Sequence, residues 1–285
     1  MKILVTGACG QLGHDCIKEL MVRGFLVVGI DKKDVDISNR DSIKSYIVKV
    51  NPDVVIHCAA WTNVDEAENE IELVYKINSF GTKYIAEACK LINAKMLYVS
   101  TDYVFSGNKK GLYEVFDFKD GISIYGRSKA LGEDYVIDIL DKYFIVRISW
   151  VFGLNGNNFV KKMLSLKDKK RIEVVCDQIG SVTYTADLSK LFCDIINTEK
   201  YGIYHASNEG YLSWYDFAVK IFELLDVDIK IDPIMTKEYM SKYPYKAKRP
   251  LNSCLNKVSL VNNGFKLLPN WEDALKRYLA EVKNE

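Results

Sequence analysis

Residues 3–13 read ILVTGACGQLG. An apolar run closes at Thr6, glycines follow at positions 7, 10 and 13, and a helical pattern begins at Gln11. Glycine tolerates the tight turn and lets another backbone come close. The N–H groups of a helix start that face outward attract an anion. A second apolar run ends on Asp31, about 20 residues on, where a carboxylate can accept from a ribose 2′-hydroxyl. The stretch therefore reads as strand, glycine turn, helix and strand of a dinucleotide fold. Gly7, Gly10, Gln11, Leu12 and Gly13 cradle the pyrophosphate, and Asp31 holds the ribose. Asp31 argues for NADH, but Lys32 and Lys33 follow it and suit a 2′-phosphate, so NADH and NADPH both stay open.

Outward from this stretch, short β-branched runs alternate with amphipathic helical patterns, which is the signature of βαβ units around a parallel sheet. Strands are expected over 2–6, 25–31, 54–58, 95–100, 144–149 and 173–176, and helices over 11–22, 42–50, 70–91 and 128–140. Past residue 150 the alternation loosens. A helix over 214–225, a loop punctuated by Pro233, Pro244 and Pro250, and a terminal helix over 271–282 remain. The expected fold is α/β: a Rossmann-type doubly wound parallel sheet over 1–150, with a smaller substrate lobe over 151–285 interleaved with it.

Composition narrows the function classes. The 285 residues carry 39 basic and 38 acidic side chains, a net charge of +1, so no positive field draws in nucleic acid. No apolar run is long enough for a signal segment or a membrane span, and the expectation is a cytoplasmic protein. Seven cysteines, an odd number with no CxxC spacing, read as free thiols.

The chemistry is carried by Tyr125-Gly-Arg-Ser-Lys129. Four residues apart, phenol and ammonium share one face of a helix that begins near Tyr125. A cation beside the phenol stabilises phenolate and makes the hydroxyl a usable proton donor near neutrality. Upstream, LYVSTDYVF ends a strand with Ser100, Thr101 and Asp102, which puts a hydroxyl at the edge of the sheet where ligands bind. In this reading Thr101, Tyr125 and Lys129 serve the reduction of a carbonyl by hydride from the nicotinamide C4: Tyr125 gives its proton to the developing alkoxide, Thr101 hydrogen-bonds the same oxygen, and Lys129 holds the nicotinamide ribose and lowers the pKa of Tyr125. Asp36 and Ile37 are placed to meet the adenine, and Ala59, Ala60 and Trp61 follow a strand into the same edge. His57 and His205 lie in apolar strand patterns and read as structural.

With these motifs in view the chain resembles the dTDP-4-dehydrorhamnose reductases, extended members of the short-chain dehydrogenase/reductase superfamily. The matching stretches are TGACGQLG, CAAWTNVDEAE, INSFGT, STDYVFSG, YGRSK, RISWVFG, GNNFV, DQIGSVT, SWYDFA and AKRP. The resemblance implies reduction of the 4-keto group of dTDP-4-dehydro-L-rhamnose by NADPH or NADH. It implies Thr101 and Asp102 on the reacting sugar, Trp150 lining its pocket, and Asn158 and Arg249 on the nucleotide diphosphate. A homodimer is left open. Similar nucleotide-sugar dehydratases carry an acidic residue where this chain has Tyr103, which disfavours dehydration. Trp61, where relatives show His or Tyr, and Gly121, where they show proline, are departures. Some members bind Mg²⁺ through acidic groups, and Asp15 falls at the first such position. A lone Asp near a helix start also suits the helix dipole, and no metal is expected. Two rival readings remain: a reductase of another nucleotide-linked 4-keto-6-deoxy sugar, and a non-catalytic regulatory subunit similar to that of methionine adenosyltransferase.

Overall fold

In the computed structural model, which describes residues 1–283, Lys2–Thr6 forms β1, Leu26–Ile30 β2, Val54–His57 β3, Lys95–Thr101 β4 and Tyr143–Ile148 β5. With Gly202–His205 they make a six-stranded parallel sheet. From one edge the order is β2, β1, β3, β4, β5 and then 202–205. The chain first steps from β1 to β2 on one side, then crosses back to β3 on the other. Strand order therefore reverses between β1 and β3, which opens a crevice beyond their carboxyl ends.

The strands are nearly unbroken apolar runs because both faces of the sheet are covered. Alternate side chains feed two cores. Ile3, Val5, Ile56, Leu97 and Val146 pack with α1 (Gln11–Val22) and the helix Thr185–Ile196. Leu4, Val55, Met96 and Ile145 pack on the other side with α2 (Arg40–Val50), α5 (Thr82–Ile92) and α6 (Ile124–Ile139). Between α2 and α5 lie the short helices α3 (Val64–Ala67) and α4 (Ile71–Tyr75). A third core, built on Phe152, Tyr184, Phe217 and Tyr278, holds the later segments together.

Three expectations need correction. The sixth place in the sheet belongs to 202–205, while the run near 173–176 forms the strand Arg171–Val175, which pairs with Lys230–Ile234 in a separate ribbon. Strand 202–205 is short and opens on Gly202 at φ +138°, so its period-2 signal was weak. The helix expected over 70–91 is interrupted: Lys76–Gly81 adopts π-helical geometry between α4 and α5, a one-turn widening common at functional sites. Finally α6 starts a turn earlier than 128, at Ile124, because the Ser123 hydroxyl accepts from Gly126 N at 3.1 Å and caps it.

Candidate active site

A cavity of about 680 Å³ opens beyond the carboxyl ends of β1, β3 and β4. Its floor is the glycine turn. Gly7 sits at φ +69°, and a Cβ there would lie 2.8 Å from Ala59 N; a Cβ on Gly13 would lie 2.0 Å from the Gly7 carbonyl oxygen. The glycines thus let the turn, α1 and the start of the 59–61 strip close up. Gly10 supplies no side-chain cap to α1, which leaves the helix start suited to an anion. At the end of β2, Asp31 Oδ2 accepts from Cys9 N at 2.5 Å, so this carboxylate is tied to the turn.

The structure brings nearly all the expected residues to this one cavity. Gly7, Gly10, Gln11, Leu12, Gly13, Asp31, Asp36, Ile37, Ala59, Ala60 and Trp61 line one part, and Thr101, Asp102, Tyr125, Lys129 and Trp150 the other. Asp36 is turned by Ser38, whose N–H and hydroxyl both donate to it and hold its carboxyl below the usual range. Two expected residues are not in the cavity wall. Asn158 caps the helix Phe159–Leu164 and donates to Gln11 Oε1 at 3.0 Å. Arg249 donates to Asp65 Oδ1 at 3.0 Å, and Asp65 also accepts from Ala247 N and Lys246 Nζ. Asp15 is buried and accepts from the Thr185 hydroxyl.

Tyr125 and Lys129 lie in the first two turns of α6, facing β4. The Tyr125 ring meets Tyr103 edge-on at 5.6 Å. Burial pushes its phenol up to about 12, with the Thr101 hydroxyl pulling the other way. Lys129 is buried, its ammonium 4.0 Å above the Tyr98 ring. Burial brings it down to about 7, opposed by Glu133 and then Cys58. Contrary to the expectation of a lowered phenol, desolvation is the largest influence on both groups and disfavours both charged forms. Asp102 is buried too, pushed up to about 6 by desolvation despite the Ser253 and Thr101 hydroxyls. Its Oδ1 accepts from Thr101 at 3.0 Å, while its Oδ2 has no partner among the described residues. A buried carboxylate oxygen without a donor is costly, and a ligand hydroxyl would satisfy it.

Trp150 holds the opposite wall in left-handed geometry, φ +47°, a strained setting for a bulky residue. It is over-determined by its neighbours: its ring stacks on Trp214 at 3.7 Å, and Gly180 lies so close that a Cβ would come within 2.8 Å of the indole.

Sequence reasoning missed Asn78. On the π-turn, its Oδ1 accepts from Trp61 N at 2.7 Å, and its Nδ2 donates to Trp61 O and to Ser128 Oγ. It fixes the 59–61 strip to α6. A buried amide inside the apolar pattern of INSFGT was the available signal.

A glycine turn at a strand-order reversal, with a Tyr–Lys helix and a strand-end threonine converging on one cavity, is the arrangement of nicotinamide-dependent oxidoreductases of the short-chain dehydrogenase/reductase class. Residues 1–284 match the family described as RmlD substrate binding domain. The chain is also 41% identical to the dTDP-4-dehydrorhamnose reductase of Aggregatibacter actinomycetemcomitans, over 98% of each chain. It belongs to the dTDP-4-dehydrorhamnose reductase family. Among solved structures, the Bacillus anthracis dTDP-4-dehydrorhamnose reductase in complex with NADP superposes with a TM-score of 0.94 at 42% identity, covering 98% of this chain and 99% of that one. The Clostridium acetobutylicum protein described as a dTDP-4-dehydrorhamnose reductase gives 0.95 at 39%, covering 99% and 100%.

Proposed function

We propose that this chain reduces the 4-keto group of dTDP-4-dehydro-L-rhamnose to give dTDP-L-rhamnose, using NADPH or NADH. The observation that carries the reading is the convergence of Thr101, Tyr125 and Lys129 on the cavity that the glycine turn floors. The cavity suits a dinucleotide: the Gly7–Gly13 approach leaves no room for side chains, and Asp31 stands at the ribose end. When bound, the reduced nicotinamide supplies the hydride.

The chain's own groups do the rest. Tyr125 Oη gives its proton to the oxygen that gains charge, and a phenol held protonated by burial is in the correct state to do so. Thr101 Oγ1, already turned to Asp102 Oδ1, supplies a second hydroxyl to that oxygen. Asp102 Oδ2 accepts from a sugar hydroxyl, and Trp150 presents an apolar wall to the 6-deoxy carbon. Arg249 and Asn158 reach the diphosphate once the ligand draws them from Asp65 and Gln11. The half-buried Tyr103 stands where a dehydratase would carry its acid, which favours simple reduction.

The test is turnover of dTDP-4-dehydro-L-rhamnose with NADH and with NADPH, followed at the nicotinamide absorbance, with the product sugar assigned by NMR. Formation of dTDP-L-rhamnose is the expected result. An unchanged keto sugar with both nicotinamides overturns the reading.

A further inference from the structure

Tyr125, Lys129 and Glu133 follow one another at four-residue intervals along α6, so phenol, ammonium and carboxylate form a single stripe. Glu133 is fully buried. Its Oε1 accepts from Ser100 Oγ at 2.5 Å and from Arg147 Nε at 2.8 Å, and its Oε2 accepts from a terminal nitrogen of Arg147 at 2.7 Å. The Lys119 ammonium stands 3.4 Å away. Arg147, itself only 1% exposed, spends its remaining terminal nitrogen on Val115 O and His205 Nε2. Burial pushes the Glu133 carboxyl up, but the Arg147 hydrogen bonds and charge, then Lys119 and Ser100, hold it below its ordinary value.

Buried ion pairs of this kind are weak sources of stability, because desolvation consumes most of the attraction. This one has a particular position. Ser100, which donates to the carboxylate, immediately precedes Thr101, and Lys129 lies one turn before Glu133. Around Lys129 stand Tyr125 and Glu133 from its own helix, His57 and Cys58 from the end of β3, the Tyr98 ring from β4, and Arg147 from β5 behind Glu133. Glu133 is the carboxylate among them.

Resting on the reading of Lys129 given above, we infer that Glu133 is a positioning residue: its carboxylate keeps the Lys129 ammonium charged and clamps the helix that carries it to the end of β4. Burial favours neutral Lys129; the charge one turn away opposes that. Without it the ammonium loses its proton at lower pH, and activity that needs the cation disappears earlier as pH rises.

The experiment compares wild type, Glu133→Gln and Glu133→Asp in the full chain, measuring kcat/KM for dTDP-4-dehydro-L-rhamnose with NADPH between pH 5.5 and 9, since kcat/KM reports groups of the free enzyme. The alkaline limb of Glu133→Gln is expected to move down by about one unit, so the deficit reaches roughly tenfold at pH 8 and shrinks near pH 6. Glu133→Asp, which keeps the charge, restores the limb. A uniform loss at every pH with the limb unmoved overturns the inference. If Glu133→Gln does not fold by circular dichroism, it is paired with Arg147→Gln so that no lone cation is buried, and a limb shift in the same direction but smaller is expected, because the more distant cation is lost with the carboxylate. If that variant also fails to fold, the pair is structural and the inference falls. Wild type and Tyr125→Phe are run alongside: if wild type leaves the sugar unreduced, or Tyr125→Phe equals it, the functional reading fails. If both behave as expected and the limb stays, this inference alone fails.

Discussion

Gly13→Ala isolates what the glycine turn does. Its Cβ would sit 2.0 Å from the Gly7 carbonyl oxygen and 2.7 Å from the Gly7 carbonyl carbon. Contacts under 3.0 Å are essentially never tolerated, so the two segments must separate by at least the missing 1.0 Å. Neither side yields freely. α1 is anchored by Cys16 and Leu20 in the core, and Gly7 is pressed against the Ala59 backbone while its carbonyl accepts from Gly10 N at 3.0 Å. The turn is the weaker of the two, and its N–H groups are displaced. A hydrogen bond lengthened by about 1 Å is lost, and bonds to a charged group are worth about 1.5–3 kcal/mol each. Losing two costs roughly 3–6 kcal/mol, or about 10²–10⁴-fold in NADPH affinity. The fold itself loses about 1–3 kcal/mol from overpacking, a shift of several degrees in Tm and no collapse. Fluorescence titration with NADPH beside a thermal scan separates the two effects. An affinity within threefold of wild type in a folded variant would refute the reasoning, because the close approach would then have no bearing on the pyrophosphate.

Tyr125→Phe keeps the edge contact with Tyr103 and should bind NADPH normally while turnover falls about 10²–10⁴-fold; near-wild-type absorbance traces would exclude Tyr125 as the acid. Asp31→Asn removes the charge that repels a 2′-phosphate and should raise kcat/KM for NADPH relative to NADH, measured as a ratio in one preparation; an unchanged ratio would show that Lys32 and Lys33 govern the choice. Asp65→Asn weakens the contacts to Lys246, Ala247 and Arg249, partly exposed charged bonds worth about 1–2 kcal/mol together. Because the ligand no longer has to draw Arg249 away from Asp65, KM for the sugar nucleotide should fall about 5–30-fold with kcat little changed, and an unchanged or higher KM would contradict that exchange of partners. Stability should decline with acid well above the carboxylate range. Burial holds His57 well below its ordinary pKa and His205 down to about 3, so the unfolded chain binds more protons below about pH 6.5, at about 1.4 kcal/mol per group per pH unit. Asp102, raised to about 6, works in the opposite direction from pH 6 down to its unfolded value near 3.8. The balance is a loss of about 2–3 kcal/mol between pH 7 and 5, readable in urea midpoints; equal midpoints at the two pH values would mean that the histidines are not held neutral.

What was legible in the sequence follows from how each feature is encoded. The glycine turn, Asp31 and the Tyr–Lys pair are local: a few residues fix a turn, a strand end or a helix face, and the two apolar strand faces announce themselves because both are buried. Asn78 and Glu133 are different. Each looks like an ordinary polar residue on a helix until the sheet brings Trp61 and Ser128 to the one, and Ser100 and Arg147 to the other, from 14 to 50 positions away. The strand 202–205 was likewise invisible as the sixth member of the sheet because it is only four residues long, opens on a glycine, and gains its place by pairing with β5 more than 50 positions upstream.

The same distinction explains the one chemical expectation that changed. Spacing alone puts an ammonium beside a phenol and predicts a phenol whose pKa is lowered. Packing adds the quantity that spacing omits, which is how much water each group has lost. With Tyr125 half-buried edge-on to Tyr103 and Lys129 buried against Tyr98, the pair is pushed toward its neutral forms, and the charge on Lys129 depends on a carboxylate one helical turn further in. The YxxxK motif therefore understates the buried network to which its two residues belong. In this fold the stripe runs on through Glu133 to Arg147, and the strand bearing Thr101 is tied to it through Ser100, so donor, cation and hydroxyl are set by one buried network and not by three independent residues.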